Sequence, residues 1–167
     1  QAADSRADAV YHWMGVNVMA ANSGRPLELD LLRQRLDSDY GALISGTGTD
    51  DETKHRNFLS KAVAAFVLQK EAGASIEDAV AASIDGGFDH GIDSVFIDDN
   101  HTIWLVQSKY IDSGRGEPEL GDVSKFRDGV SDLLGGKMER FNEAMQSHQD
   151  ALIKELNTEV CKIEVDL

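Results

Sequence analysis

The sequence predicts an α/β protein of the α+β-like kind, a small mixed sheet with a central β-hairpin flanked by helices. Three observations predict it. Residues 92–98 and 103–110 alternate around the polar turn DDNHT and are rich in Val, Ile, Phe and Trp, as paired strands are. Apolar residues recur at helical spacing both before and after this hairpin. The stretch from Val160 to Val165 reads as a further strand, reached through the later helices and so able to return parallel to the second hairpin strand.

Each element has its own signal. Between Asp4 and Met19 the residues Ala9, Val10, Trp13, Met14 and Val18 mark an amphipathic helix. Pro26 suits the first turn of a short helix through Leu29, Leu32 and Leu36. Gly41 to Glu52 is a Gly- and Thr-rich connection whose GTGT lacks the lysine and spacing of a phosphate loop. Phe58, Leu59, Ala62, Val63, Phe66 and Val67 form the apolar face of a core helix closed by Gly73. Ser75 and Asp78 have capping-box spacing for a helix from Ile76 to Ile84, stopped by Gly86 and Gly87. Beyond the hairpin lie the polar loop IDSGRGEPE and a helix with Leu120, Val123, Phe126, Val130, Leu133 and Leu134 on one face, stopped by Gly135 and Gly136. A last helix carries Met138, Phe141, Met145, Leu152 and Leu156.

The expected organisation is an N-terminal helical packing segment, residues 1–50, and a core, residues 51–167. VCKIEVDL ends as a strand without a turn or polar tail, so the core is expected to continue in the natural protein. Gln1 in place of Met suggests a processed or trimmed start.

At 167 residues the chain is long enough for a substantial core, and 41% of it is hydrophobic. Thirty acidic against 16 basic residues give a formal charge of -14, a field that repels polyanions and argues against non-specific nucleic-acid binding. Any nucleic-acid chemistry must therefore come from a local site, bound metal ions or a further domain. Cys161 is the single cysteine, which excludes an internal disulfide, disfavours a zinc cluster and suits a reducing cytoplasm. No apolar run approaches the ~18 residues of a membrane span, and QAADSRADAV lacks the regions of a signal peptide.

The hairpin carries more than an ordinary hairpin needs. Its entry, GGFDHGID, is rich in Gly and Asp, and its second strand ends in Gln107 and Lys109, which share one face. Register decides whether Asp93 joins them. A turn centred on Asn100 sets Asp93 opposite Gln107; a two-residue turn at Asp99 and Asn100 turns Asp93 to the other face. Asp-Asn is a poor two-residue turn, which favours the longer loop. A carboxylate and an amide oxygen beside an ammonium suit a hard divalent cation and a phosphate oxygen, with the lysine placed to hold an attacking water.

GGFDHGIDSVFID followed by WLVQSKY resembles the core of the PD-(D/E)XK nuclease superfamily, in its variant with Gln in place of the middle acid. It is more closely similar to the N-terminal nuclease-like domain of the abortive-phage-resistance (AIPR) family. The matching positions are Asp93, Gln107 and Lys109, over about a sixth of the chain, with a diffuse likeness from Phe58 to Phe126. The resemblance implies a restriction-endonuclease-like core and Mg²⁺-dependent cleavage of nucleic acid, usually DNA, with Mn²⁺ as a substitute, in defence against phage. It implies metal ligands at Asp93, Gln107 and the backbone carbonyl of Ser108, and a water-positioning role for Lys109. Ile92 stands where the superfamily has its proline, and Gln107 removes one anionic ligand. The helix-borne acid of such nucleases has Glu52 as its candidate here, with Glu71 as the other. No membrane partner is expected; a further C-terminal domain and a homo-oligomer fit the same reading.

Each residue also has a plainer reading. Asp93 alone would be a strand-end cap, Lys109 an edge lysine, and Gln107 a satisfied polar residue. Asp85 and Asp89 extend the metal shell or simply form turns, and His90 is a general acid or an exposed loop residue. Lys125, Arg127, Lys137 and Arg140 line a phosphate path or a solvated face, the latter favoured by their acidic neighbours. The rival function is a catalytically inactive nuclease-like fold that serves as a protein-interaction or oligomerisation module.

Overall fold

A computed structural model describes residues 26–158 and 162–166, so the helix read between Asp4 and Met19, and Cys161, lie outside the described residues. The elements are α1 (Leu27–Tyr40), α2 (Asp51–Glu71), α3 (Ile76–Ala81), β1 (Ser94–Ile97), β2 (Thr102–Val106), α4 (Leu120–Leu134), a 3₁₀ turn (Met138–Arg140), α5 (Glu143–Ser147), α6 (Gln149–Leu156) and β3 (Lys162–Asp166). The fold class is mixed α/β.

The strands form one sheet in the order β1-β2-β3, antiparallel between β1 and β2 and parallel between β2 and β3. The parallel pair follows from the helical crossover that separates them. In the hairpin, Ser94 pairs with Val106 and Ile97 with Ile103, which centres the turn on Asn100 as expected. Asp98 builds that turn: its Oδ1 accepts the amides of Asn100 (2.8 Å) and Thr102 (2.9 Å), and its Oδ2 accepts Trp104 Nε1. His101 takes the left-handed conformation, φ 62°, that a longer hairpin loop requires.

Period-two alternation then sorts the side chains between two cores. Val106 joins Leu36, Tyr40, Leu59, Ala62 and Leu68 under α1 and α2, with Phe96 and Trp104 packed at the same side. Val95, Ile103 and Leu105 join Phe126, Leu133, Phe141, Met145 and Leu152 of the later helices. Helices thus cover both faces of the sheet. Full burial of a leucine such as Leu59 or Leu68 stabilises the fold by roughly 1.5–3 kcal/mol.

Several boundaries differ from those the sequence predicts. The core helix starts at Asp51, because Asp50 caps it by accepting the Thr53 amide at 2.8 Å. The Ser75 cap is present, but α3 ends at Ala81; Ser83 then bridges to Ser94 and extends the sheet edge instead of the helix. The last helix is broken into a 3₁₀ turn, α5 and α6. Asn142 caps α5 and donates its amide to the Ile84 carbonyl, a tie to another segment that one straight helix would forbid. The ladder of β2 ends at Val106, before Gln107 and Lys109. Among the described residues no helix is long and apolar enough to cross a membrane.

One glycine sets how closely α4 approaches the hairpin entry. A Cβ at Gly129 would lie 2.4 Å from the His90 carbonyl oxygen, a backbone atom that cannot step aside cheaply. Gly129→Ala is therefore expected to cost about 1–3 kcal/mol and to lower the melting temperature by several degrees, measurable by thermal unfolding.

Candidate metal centre

Where the ladder stops, the Asp93 side chain takes over its end. The Asp93 amide donates to the Val106 carbonyl at 2.8 Å, and Asp93 Oδ2 accepts the Ser108 amide at 2.7 Å. The Ser108 hydroxyl donates to the Ser60 carbonyl at 2.8 Å and lies 3.4 Å from the same Asp93 oxygen, tying the hairpin end to α2. Among the described residues, Asp93 Oδ1 accepts no hydrogen bond.

The entry loop brings two more carboxylates alongside. One oxygen of each of Asp85, Asp89 and Asp93 lies within 4.8 Å of the others. Asp89 is buried and heavily used: Oδ1 accepts the Gly91 amide (2.8 Å) and Lys125 Nζ (2.7 Å), and Oδ2 accepts the Gly86 amide (3.2 Å). It is the clamp of this loop, which holds Phe88, His90 and Gly91 at positive φ. Asp85 is exposed and pairs with Lys61 of α2 at 3.3 Å.

These surroundings push the two inner acids apart. Burial raises the Asp93 carboxyl to about 6; the Ser108 amide opposes this, and the Asp85 and Asp89 carboxylates add to the rise. At Asp89 burial also works upward, but the Lys125 ammonium and the Gly91 and Gly86 amides outweigh it and hold the group below the usual carboxylate range. Two neighbouring acids of one loop therefore differ in proton affinity because one is saturated with donors and the other is not.

Gln107 and Lys109 line the same cleft as Asp85, Asp89 and Asp93, a space of about 310 Å³ closed on the far side by Asp122 and Lys125 of α4. The Gln107 Oε1 atom is buried without a hydrogen-bond partner. Such an orphaned acceptor costs about 1–3 kcal/mol. Lys109 turns to α4, donating to Asp122 Oδ2 at 2.9 Å, and this hydrogen bond raises its pKa.

The structure thus gathers Asp93, Gln107, Ser108 and Lys109, with Asp89 beside them, and leaves two candidates elsewhere. Glu52 is exposed in the first turn of α2 and lines neither cleft at Asp93. Glu71 is in the last turn of the same helix. The α2 residues that reach the site are Asn57, Ser60 and Lys61. His90 packs on Phe141 at 5.0 Å between ring centroids, and its Nε2 is 2.9 Å from the Arg140 carbonyl, to which it donates. Lys125, Arg127, Lys137 and Arg140 are each paired with an aspartate.

No protein-family model, curated protein or solved structure matches this chain.

The site's own chemistry therefore has to be read from its donors. Unsaturated carboxylate oxygens at Asp93 and Asp85 and an orphaned amide oxygen at Gln107 are hard ligands, the set that suits Mg²⁺ or Mn²⁺. A divalent cation would offset the burial, and with it the neighbouring acidic charge, that raise Asp93, and would meet the unpartnered acceptor of Gln107. The residues present fit the ion. Lys61, which sequence reasoning missed, carried one signal: a cation set between the buried residues Phe58 and Leu59 on one side and Ala62, Ala64 and Ala65 on the other.

Proposed function

We propose that this chain is a Mg²⁺-dependent nuclease domain of the PD-(D/E)XK type, akin to the N-terminal nuclease-like domain of the AIPR family, with Mn²⁺ as a substitute ion. Its substrate is nucleic acid, DNA before RNA, and its setting is defence against phage in the cytoplasm. The observation that carries the reading is a half-buried Asp93 carboxylate whose Oδ1 accepts no hydrogen bond among the described residues, lining the same cleft as the orphaned oxygen of Gln107. The order α2, β1, β2, α4, β3, with β3 parallel to β2, supports a restriction-endonuclease-like core.

In this reading Asp93 and Gln107 hold the ion, with Asp85 and the Ser108 carbonyl as further oxygen donors. When bound, Mg²⁺ supplies a Lewis acid for a phosphate oxygen and makes water more acidic. Asp89 positions: it fixes the loop from Gly86 to Gly91 so that Asp85 and Asp93 converge. Lys109 exchanges Asp122 for the attacking water or a phosphate oxygen, a rotation open to a side chain that is 54% exposed. There its ammonium holds the water and neutralises charge gathering on phosphorus. Hydrolysis adds water across one P–O bond, with hydroxide joining phosphorus and a proton going to the departing oxygen.

The Lys109–Asp122 ion pair is the observation that favours the rival, an inactive scaffold for protein interaction or self-association. Incubating plasmid, single-stranded DNA and RNA with Mg²⁺ separates the two. Cleavage by the wild type but not by Asp93→Ala or Lys109→Ala is the expected result; equal cleavage by all three contradicts the assignment.

A further inference from the structure

Two clefts meet at Asp85, Asp93 and Ser108. The one toward α4 holds the roles described above. The other, about 270 Å³, opens toward α2 and is lined by Thr47, Asn57, Ser60, Lys61 and Gly86 besides the shared residues. Their charge balance differs. Apart from the shared acids, the α4 cleft has two lysines and two aspartates already in contact: Lys109 with Asp122 at 2.9 Å and Lys125 with Asp89 at 2.7 Å. The α2 cleft has Lys61 and no further acid.

Lys61 is held in a position that makes this imbalance matter. Its side chain is 17% exposed, and its ion pair is with Asp85 at 3.3 Å, one of the three clustered acids. A carboxylate has two oxygens, so Asp85 can share its charge between a cation and Lys61, which keeps the ammonium on the cleft wall beside the acidic centre. An ammonium carries three N–H donors, and as a divalent ion draws on the Asp85 charge, those of Lys61 would turn to a second anion at the cleft wall. Thr47 and Ser60 add hydroxyl groups to the same wall.

We propose that Lys61 is a substrate-positioning residue, binding a phosphate that flanks the scissile one, so that the nucleic-acid strand runs from the acidic centre into the cleft beside α2. This rests on the nuclease reading and deepens it by giving the strand a path. A lysine acting as a point charge on phosphate contributes sequence-independent, salt-sensitive affinity.

The test measures binding of a fluorescent single-stranded oligonucleotide by anisotropy, with Ca²⁺ replacing Mg²⁺ to suppress cleavage, across a salt series. Lys61→Met is expected to weaken binding about tenfold and to make the salt slope shallower by about 0.7, the loss of one phosphate contact on a single strand. Lys61→Arg is expected to retain both, which separates a lost charge from a lost fold; in cleavage assays KM should rise for Lys61→Met by more than kcat falls. An unchanged affinity and slope for Lys61→Met would overturn the proposal. So would tighter Mn²⁺ binding with an unchanged slope, which would make Lys61 a competitor of the ion and nothing more. If the wild type binds no oligonucleotide at all, the nuclease reading itself fails, and the two failures are thereby told apart.

Discussion

Asp93→Asn is expected to abolish cleavage and at the same time to stabilise the metal-free protein at neutral pH. The first effect follows from losing the anionic ligand at the centre of the site, several kcal/mol of transition-state stabilisation or a fall of at least about 10³-fold in rate. The second follows from the raised carboxyl. A folded-state value of about 6 against an ordinary 3.8 means that the proton is held more tightly in the folded chain. The stability this confers is complete below about pH 4 and is lost as pH rises through about 6, in all on the order of 3 kcal/mol. Asn carries no charge to lose and keeps an oxygen for the Ser108 amide. Thermal melts without metal should therefore show the variant above the wild type at pH 7.5 and level with it near pH 4. Asp89, held below the usual range, has the opposite pH dependence, and because its carboxylate adds to the rise at Asp93 the difference between the two proteins includes their coupling.

Lys109→Met should lower the cleavage rate by about 10²–10⁴-fold, the usual span for a group that assists proton transfer or stabilises charge at the reacting centre. Its effect on stability should be small, because the ion pair it forms with Asp122 is on an exposed side chain and such pairs contribute little. Wild-type melting with inactive chemistry would identify a residue placed for the reaction. A large loss of stability would show instead that Lys109 belongs to the packing of α4.

Much of the scaffold was legible because its signals are local. Alternation in residues 92–98 and 103–110, with a poor two-residue turn between them, was enough for the hairpin and for a turn centred on Asn100, although the paired strands are shorter, Ser94–Ile97 and Thr102–Val106. Apolar spacing found α2 and α4, and the helical crossover pointed to the parallel third strand. What the sequence left hidden depends on contacts between distant segments. The break after Arg140 arises because Asn142 binds the Ile84 carbonyl, a partner 58 residues away. At the site, the motif carried Asp93, Gln107 and Lys109, but the helix that closes it offers Lys61 where an acid was sought at Glu52. No periodicity shows that the Lys61 ammonium meets Asp85, nor that Lys109 is held by Asp122. Asp89 illustrates the same limit: Gly-flanked, it reads as turn former or ligand, and only the amides of Gly86 and Gly91 show how its oxygens are used.

A proton and a divalent ion are expected to compete for one carboxylate, that of Asp93. Calorimetric titration of Mn²⁺ at pH 6, repeated in two buffers of different ionisation enthalpy, measures that competition directly. Because Asp93 is about half protonated there, the wild type should release about half a proton per ion bound, and Asp93→Asn should bind far more weakly and release none. Binding without proton release, or equal binding by the two proteins, would contradict the account.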